Sequence, residues 1–315
     1  MSSALENTTV FLNGRFVSRD EAVLSAFDAG VQHAVGLFET MTVSLGVGGE
    51  PRIPRLWHHL DRLADSAHAL GLTTKLRREA LSDAIFETCR QSGVLDEPGS
   101  RARVRLTVTG GDLSLLQSSA KSQVDPTILI VVQPPTAYPD EMFTNGVRVS
   151  IADLKVNPLN PFEGHKTLNY WPRLRALQLA SARQASETLV MQVSNHLAGG
   201  AVSNAFVVHE DRLITPIAQG EEEMVGGKGA LPSPVLPGVT RAGVIEWAHA
   251  EGIEVERRMV TIEDVLDAHE LFLTNSSWGV LPVGMVEKEA INEAHVGPLT
   301  KRAVAWWREQ MEETA

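Results

Sequence analysis

Residues 101–109, RARVRLTVT, alternate between polar and apolar side chains without a break. Successive strand side chains point to opposite faces, so Ala102, Val104, Leu106 and Val108 share one face and Arg101, Arg103, Arg105, Thr107 and Thr109 the other. A chain holding this segment must build a sheet with one covered side. The run TILIVVQ at 127–133 has no such alternation and predicts a strand covered on both faces. The Pro-rich polar stretch PPTAYPDEMFTNG that follows predicts a domain boundary.

At 315 residues the chain is too long for one small core. The reading is a mixed α/β chain in two parts: residues 1–135, a linker at 136–146, and residues 147–315. In the first part, TVFLNGRFVS reads as a β-hairpin, because Asn13-Gly14 supplies the positive φ angles of a type I′ turn. GLFETMTVSLG reads as a strand. Leu56, Leu60, Leu63, Ala67 and Leu70 recur in steps of four and three, the stripe of an amphipathic helix ending near Gly71. REALSDAIFETCRQSG reads as a second helix stopped by Gly93.

In the second part, VRVSIAD, TLVMQV, AFVVHEDRLITP, IEVERRMV and ELFLTN read as strands. TLNYWPRLRALQLASARQA reads as a helix that tolerates Pro172 near its first turn or at a kink. RAGVIEWAHAEG, TIEDVLDA capped by Thr261, and PLTKRAVAWWREQMEE read as helices. AQGEEEMVGGKGALPSP reads as a flexible surface loop. Strands and helices do not alternate regularly enough for a doubly wound fold.

Formal net charge is −11, which argues against a general nucleic-acid surface, since phosphate backbones need clustered Lys and Arg. The single cysteine, Cys89, excludes an intrachain disulfide and a Cys-rich metal site. The N-terminus lacks the basic and long apolar parts of a signal peptide, and no apolar run reaches membrane-spanning length, so a cytoplasmic location is expected. No metal site is expected: H-E-x-x-H is absent, and on a helix His58 and His59 point about 100° apart. GEEEMVGGKGA fails the phosphate-loop spacing because Glu222 stands five residues before Gly227. G-x-S-x-G is absent.

What remains is a scattered set suited to an anion and an amine. Arg62 lies beside the apolar stripe of its helix, and Lys166 just before a helix. Gly238-Val239-Thr240 opens a helix, where unpaired amides and the dipole favour an anion. Asn275, Ser276 and Ser277 follow a strand as hydrogen-bonding groups. A phosphate cradle with an amine nucleophile is what pyridoxal phosphate requires.

Taken in order, FLNGRFV, GLFETMTV, HHLDRLADSAHAL, HKTLNY, SNAFVV…LITP, LPGVTRAGVIEWA and FLTNSSWGVLPV resemble the fold type IV pyridoxal-phosphate enzymes over nearly the whole chain. That family holds branched-chain and D-amino acid aminotransferases and aminodeoxychorismate lyase. The resemblance implies a smaller N-terminal and a larger C-terminal α/β domain, pyridoxal 5'-phosphate between them, and a homodimer completing the site. It makes Lys166 the Schiff-base lysine and Arg62 a phosphate ligand. By the same resemblance, the Val239 and Thr240 amides, the Thr240 hydroxyl and Ser276 are expected to supply the rest of the phosphate cup. Phe38, Thr40, Arg103, Asn275 and Ser277 fall on the substrate side.

The pattern breaks at one place. The family carries a glutamate that binds the pyridine nitrogen; aligning on Ser203-Asn204 puts that position at Gly199, within HLAGGAVSNAF. Glu187 and Glu210 stand in strand-like surroundings away from the turn, which argues against either replacing it. Water or a hydroxyl at the nitrogen, an acid from Glu221–Glu223, or loss of transamination are the other readings. Thr109-Gly110 stands where the lyase and the D-specific enzymes tend to show Arg-Gly, which counts against both. The expected activity is therefore an aminotransferase for a small, branched-chain-like amino acid and 2-oxo acid pair. The alternatives are aminodeoxychorismate lyase and a degenerate member.

Overall fold

The computed structural model describes residues 8–112 and 125–313, which form two compact units. The first holds the described residues up to 136, together with 165–169 and 310–313. The second holds 137–164 and 170–309. A division at one linker would assign Lys166 to the C-terminal part; its backbone instead belongs with the first unit.

The first unit begins with the expected hairpin, β1 (Thr9–Leu12) and β2 (Arg15–Ser18), turned by Asn13 and Gly14, both at positive φ. A short helix α1 (Ala29–His33) is capped by the Asp28 carboxylate. Then come β3 (Gly36–Leu45), β4 (Pro51–Arg52), α2 (Leu56–Ala69), α3 (Arg78–Gln91), β5 (Arg101–Thr109) and β6 (Ile128–Gln133). The strands form one antiparallel sheet in the order β2-β1-β6-β5-β3-β4.

The alternation in β5 does what it requires: Ala102, Val104, Leu106 and Val108 are all fully buried, against Leu60, Leu63, Ala67 and Ile85 of α2 and α3. Burying each such side chain contributes about 1.5–3 kcal/mol. Cys89 joins this core, and burial pushes its thiol up to about 12, so it is an inert packing residue. Strand β6 departs from expectation. Only Ile130 and Val132 are buried, while Leu129 and Val131 are half-exposed, so the sheet has one fully covered face. The other face of the β3/β5 pair carries Phe38 opposite Thr107, Thr40 opposite Arg105, and Thr42 opposite Arg103.

The second unit runs α4 (Glu141–Thr144), β7 (Val147–Val156), α5 (Trp171–Ala182), β8 (Glu187–Gln192), β9 (Leu197–Gly200), β10 (Asn204–His209) and β11 (Arg212–Pro216). It continues with α6 (Glu222–Gly226), α7 (Val239–Ala250), β12 (Val255–Arg258), α8 (Ile262–Leu266), β13 (Glu270–Asn275), β14 (Gly279–Val286), β15 (Glu289–Ala290) and α9 (Pro298–Glu313), the last four residues of which group with the first unit. Pro172 sits in the first turn of α5, where its missing N–H costs nothing. Thr261 caps α8 in a capping box with Asp264.

The mixed sheet has the order β12-β11-β10-β13-β14-β7-β8-β9, with β15 on β14. One face packs Val147, Leu189, Leu197, Ala205, Val207 and Leu281. The other packs Phe206 and Phe272, stacked at 5.0 Å, against Val244, Ala248 and Ala303 of α7 and α9. The acidic loop is not loose. Glu221 accepts from Arg241 and Arg257, and Glu222 from the amides of Gly220 and Ser233.

Candidate active site

Lys166 is placed by strand pairing. Residues 165–169 lie along the start of β3: the Phe38 amide donates to the Lys166 carbonyl at 3.0 Å, and the Leu168 amide to Gly36 at 2.9 Å. The Lys166 Nζ stands 4.4 Å from the centroid of the buried Phe38 ring, and the Arg105 guanidinium 3.8 Å from the same ring. Cations favour an aromatic face, so Phe38 gathers two of them. Arg103 is farther along β5. Its Nη2 donates to Gln133 at 2.6 Å, and its Nε is buried with no partner.

On the opposite face of β3, Glu39 is 1% exposed and faces α2. Arg62 donates to it twice, Nε to Oε1 at 2.9 Å and Nη2 to Oε2 at 2.6 Å. His59 Nδ1 meets Oε2 at 2.7 Å. Burial alone would raise the Glu39 carboxyl, but the Arg62 charge and the His59 hydrogen bond outweigh it and hold it at about 2. Burial also lowers His59, so this imidazole is neutral and its Nδ1–H donates to Glu39. His58 instead meets Arg55.

The second unit places three turns. Helix α7 begins at Gly238, with Val239 and Thr240 buried in its first turn. No side chain caps it, and the Thr240 Oγ1 is buried without a partner. A buried hydroxyl beside the unpaired amides of a twelve-residue helix is a site shaped for anionic oxygen. Gly238 must be glycine, since a Cβ there would lie 1.9 Å from Asn204 Oδ1, while Asn204 Nδ2 holds the Leu236 carbonyl. In the 275–278 turn, Asn275 Oδ1 accepts from the amides of Ser277 and Trp278, and its Nδ2 donates to Val202. Asn275 thus shapes the turn that presents the half-buried Ser276 and Ser277.

Gly199 is in β9 at φ 142°, and a Cβ on it would lie 2.7 Å from the Ser203 carbonyl oxygen. Glu187 proves not to be away from this turn. It is fully buried on β8, and its carboxylate accepts from the amides of Thr188, Ala201 and Val202 and from Ser203 Oγ. Burial pushes this carboxyl up against those hydrogen bonds. Glu210 sits in the β10–β11 turn, and Glu221 and Glu222 are occupied as described.

The sequence matches a known family. The class IV amino-transferase model matches residues 36–286. The chain belongs to the class IV aminotransferase family. A putative branched-chain-amino-acid aminotransferase of Methanocaldococcus jannaschii is 32% identical over 93% of both chains. Among solved structures, the branched-chain aminotransferase of Thermoproteus uzoniensis with norvaline superposes with a TM-score of 0.82 at 23% identity, covering 98% of this chain and 95% of the other. The 4-amino-4-deoxychorismate lyase of Pseudomonas aeruginosa gives 0.77 at 26% identity, over 96% and 99%.

The sequence-assigned residues of this aminotransferase fall into two groups. Lys166, Arg62, Phe38, Thr40 and Arg103 belong to the first unit; Gly199, Val239, Thr240, Asn275, Ser276 and Ser277 belong to the second. Sequence reading missed Glu39, His59 and Arg105. A lone acid inside the apolar strand LFETMTV was the available signal for Glu39. Among the described residues, no group of three or more His, Cys, Asp or Glu could hold a metal, and no helix is long and apolar enough to cross a membrane.

The buried triad makes stability pH-dependent. The lowered His59 takes up a proton in the unfolded chain first, so stability falls as pH drops below about 6.5. The lowered Glu39 adds a second loss, beginning below about 4.5 and running toward 2. Thermal unfolding followed by circular dichroism should show a midpoint that is level from about pH 7 to 8 and declines below about 6.5. A His59→Gln variant should lose the upper part of that decline.

Proposed function

We propose that this class IV aminotransferase uses pyridoxal 5'-phosphate to move an amino group between a small, branched-chain-like amino acid and a 2-oxo acid. The observation that carries the reading is the unpartnered Thr240 hydroxyl at the open N-terminus of α7, which fits a phosphate. The Val239 and Thr240 amides, Thr240 Oγ1, Ser276 and Arg62 would hold that phosphate. Arg62 is kept rigid for this by its two bonds to Glu39. When bound, the cofactor supplies a carbonyl for the amine and a conjugated ring that takes up an electron pair.

Lys166 contributes the amine that anchors the cofactor and, once released, takes and returns the α-proton of the substrate at Nζ. Phe38 orients that amine by its ring face. Thr40 and Arg103 line the same sheet face for the substrate, and Arg105, stacked on Phe38, is the better-placed guanidinium for a carboxylate. Thr109 does not offer a substitute for arginine. Its hydroxyl donates to the buried Asp28 and accepts from the Gly111 amide. The reading includes a homodimer acting on small molecules in the cytoplasm.

The test is amino transfer from L-leucine to 2-oxoglutarate, followed as glutamate formation. Pyruvate release from aminodeoxychorismate without an amino acceptor would instead select the lyase reading. A Thr240→Val variant should bind pyridoxal phosphate about tenfold more weakly or worse, the worth of one hydrogen bond to a charged group. Its melting temperature without cofactor should be unchanged, because Oγ1 has no partner within the fold.

A further inference from the structure

The turn that follows Gly199 carries no acidic side chain of its own, and a guanidinium lies on its carbonyls. Arg173 of α5 donates through Nη1 to the carbonyls of Gly200 and Ala201, at 3.4 and 3.1 Å. The Tyr170 hydroxyl stands 3.5 Å from the same Ala201 oxygen. Glu187 is the only carboxylate hydrogen-bonded to residues 199–204 among the described residues; it accepts from the turn's Ala201 and Val202 amides and Ser203 hydroxyl, and from the Thr188 amide of its own strand. The other acid nearby, Glu163, faces the Arg173 guanidinium at 3.5 Å. Each acid at the turn therefore has an assigned partner, and a cation rests on the turn's carbonyls.

The backbone shows that this is more than one exchanged side chain. At φ 142°, with Ser203 O 2.7 Å from a built Cβ, position 199 is glycine by conformation. A glutamate could be placed there only if the β9–β10 turn moved, and the turn is held by Glu187 on one side and Arg173 on the other.

We propose that the Gly199–Ser203 turn, which has no acidic side chain of its own and carries Arg173 on its carbonyls, keeps the pyridine nitrogen of bound pyridoxal phosphate unprotonated. This rests on the proposed function and on position 199 being the family's nitrogen-facing position. The Arg173 cation disfavours a second positive charge, and the two acids near the turn are engaged, Glu187 by its four accepted hydrogen bonds and Glu163 by Arg173. A neutral ring withdraws less charge from the substrate's α-carbon, so proton removal depends more heavily on Lys166. Arg173 acts here as a positioning residue: it sets the potential at the turn and does no proton transfer.

The test is the 15N resonance of the protein loaded with ring-15N pyridoxal phosphate, recorded from pH 6 to 8. The expected signal is the downfield position of a neutral pyridine across that range. Arg173→Gln keeps hydrogen bonding to the turn but removes the charge, and should raise the pH at which the signal begins to move upfield; no movement would overturn the part assigned to Arg173. Glu163→Gln should leave the signal downfield. An upfield, pyridinium-type signal in the wild-type protein overturns the proposal and leaves the proposed function standing. Failure of the protein to bind the labelled cofactor at all overturns both.

Discussion

Lys166→Ala is expected to reduce amino transfer by about 10⁴-fold or more, because one side chain supplies both the anchoring amine and the proton carrier. The change should be confined to chemistry. Lys166 is held through its backbone, by the bonds linking it and Leu168 to β3, and alanine keeps these. The variant should therefore melt close to the wild type and lose the visible absorbance that cofactor gives the parent. Added methylamine should restore part of the proton transfer but not the anchoring. Residual activity within about tenfold of the parent would remove Lys166 from its assigned role.

Glu39→Gln is expected to cost the first unit about 3–5 kcal/mol, the usual loss when one partner of a buried pair is removed. The Arg62 side chain is 11% exposed, and Glu39 supplies the anionic partner of two of its nitrogens. Glutamine preserves the shape and removes the charge, leaving a buried guanidinium uncompensated. Urea unfolding should show a lower midpoint with an unchanged slope. Pairing the change with Arg62→Met should recover much of the stability, because the stranded charge is gone, while cofactor affinity stays low. A loss below about 1 kcal/mol for the single variant would mean that Glu39 does not balance Arg62.

Much of the fold was legible because it rests on local periodicity. The β5 alternation, the α2 stripe, the Asn13-Gly14 hairpin and the Thr261 cap each reappear in the structure. Strand β14 was not legible. GVLPVGMV contains a proline and two glycines, yet it pairs with β13 on one side and β7 on the other, with an irregularity between Val283 and Met285 that absorbs the break in register. The apolar run of β6 overstated burial, because composition does not say how many faces a sheet will cover.

The site was legible as an ordered set of motifs and much less so as a set of contacts. Lys166 lies beside Phe38 in the first unit and Thr240 opens α7 in the second, the residues to which the proposed function gives the amine and the anion cradle. Arg103 and Arg105 lie on the same side of β5, so alternation could not separate them; the register that puts Arg105 across from Thr40 and its contact with Phe38 do so. Glu187 looked remote because it lies in a strand-like segment away from the turn. Adjacent pairing of β8 and β9 brings its carboxylate under the turn. Long-range partnerships of this kind leave no periodic trace.

Every step of the proposed chemistry depends on Lys166 being the residue that carries the cofactor. Incubating the protein with pyridoxal phosphate, reducing it with borohydride and mapping the peptides by mass spectrometry addresses this. The expected result is one pyridoxyl label per chain, on Lys166, and none in Lys166→Ala. A label on another lysine, or an unlabelled protein at saturating cofactor, would contradict it.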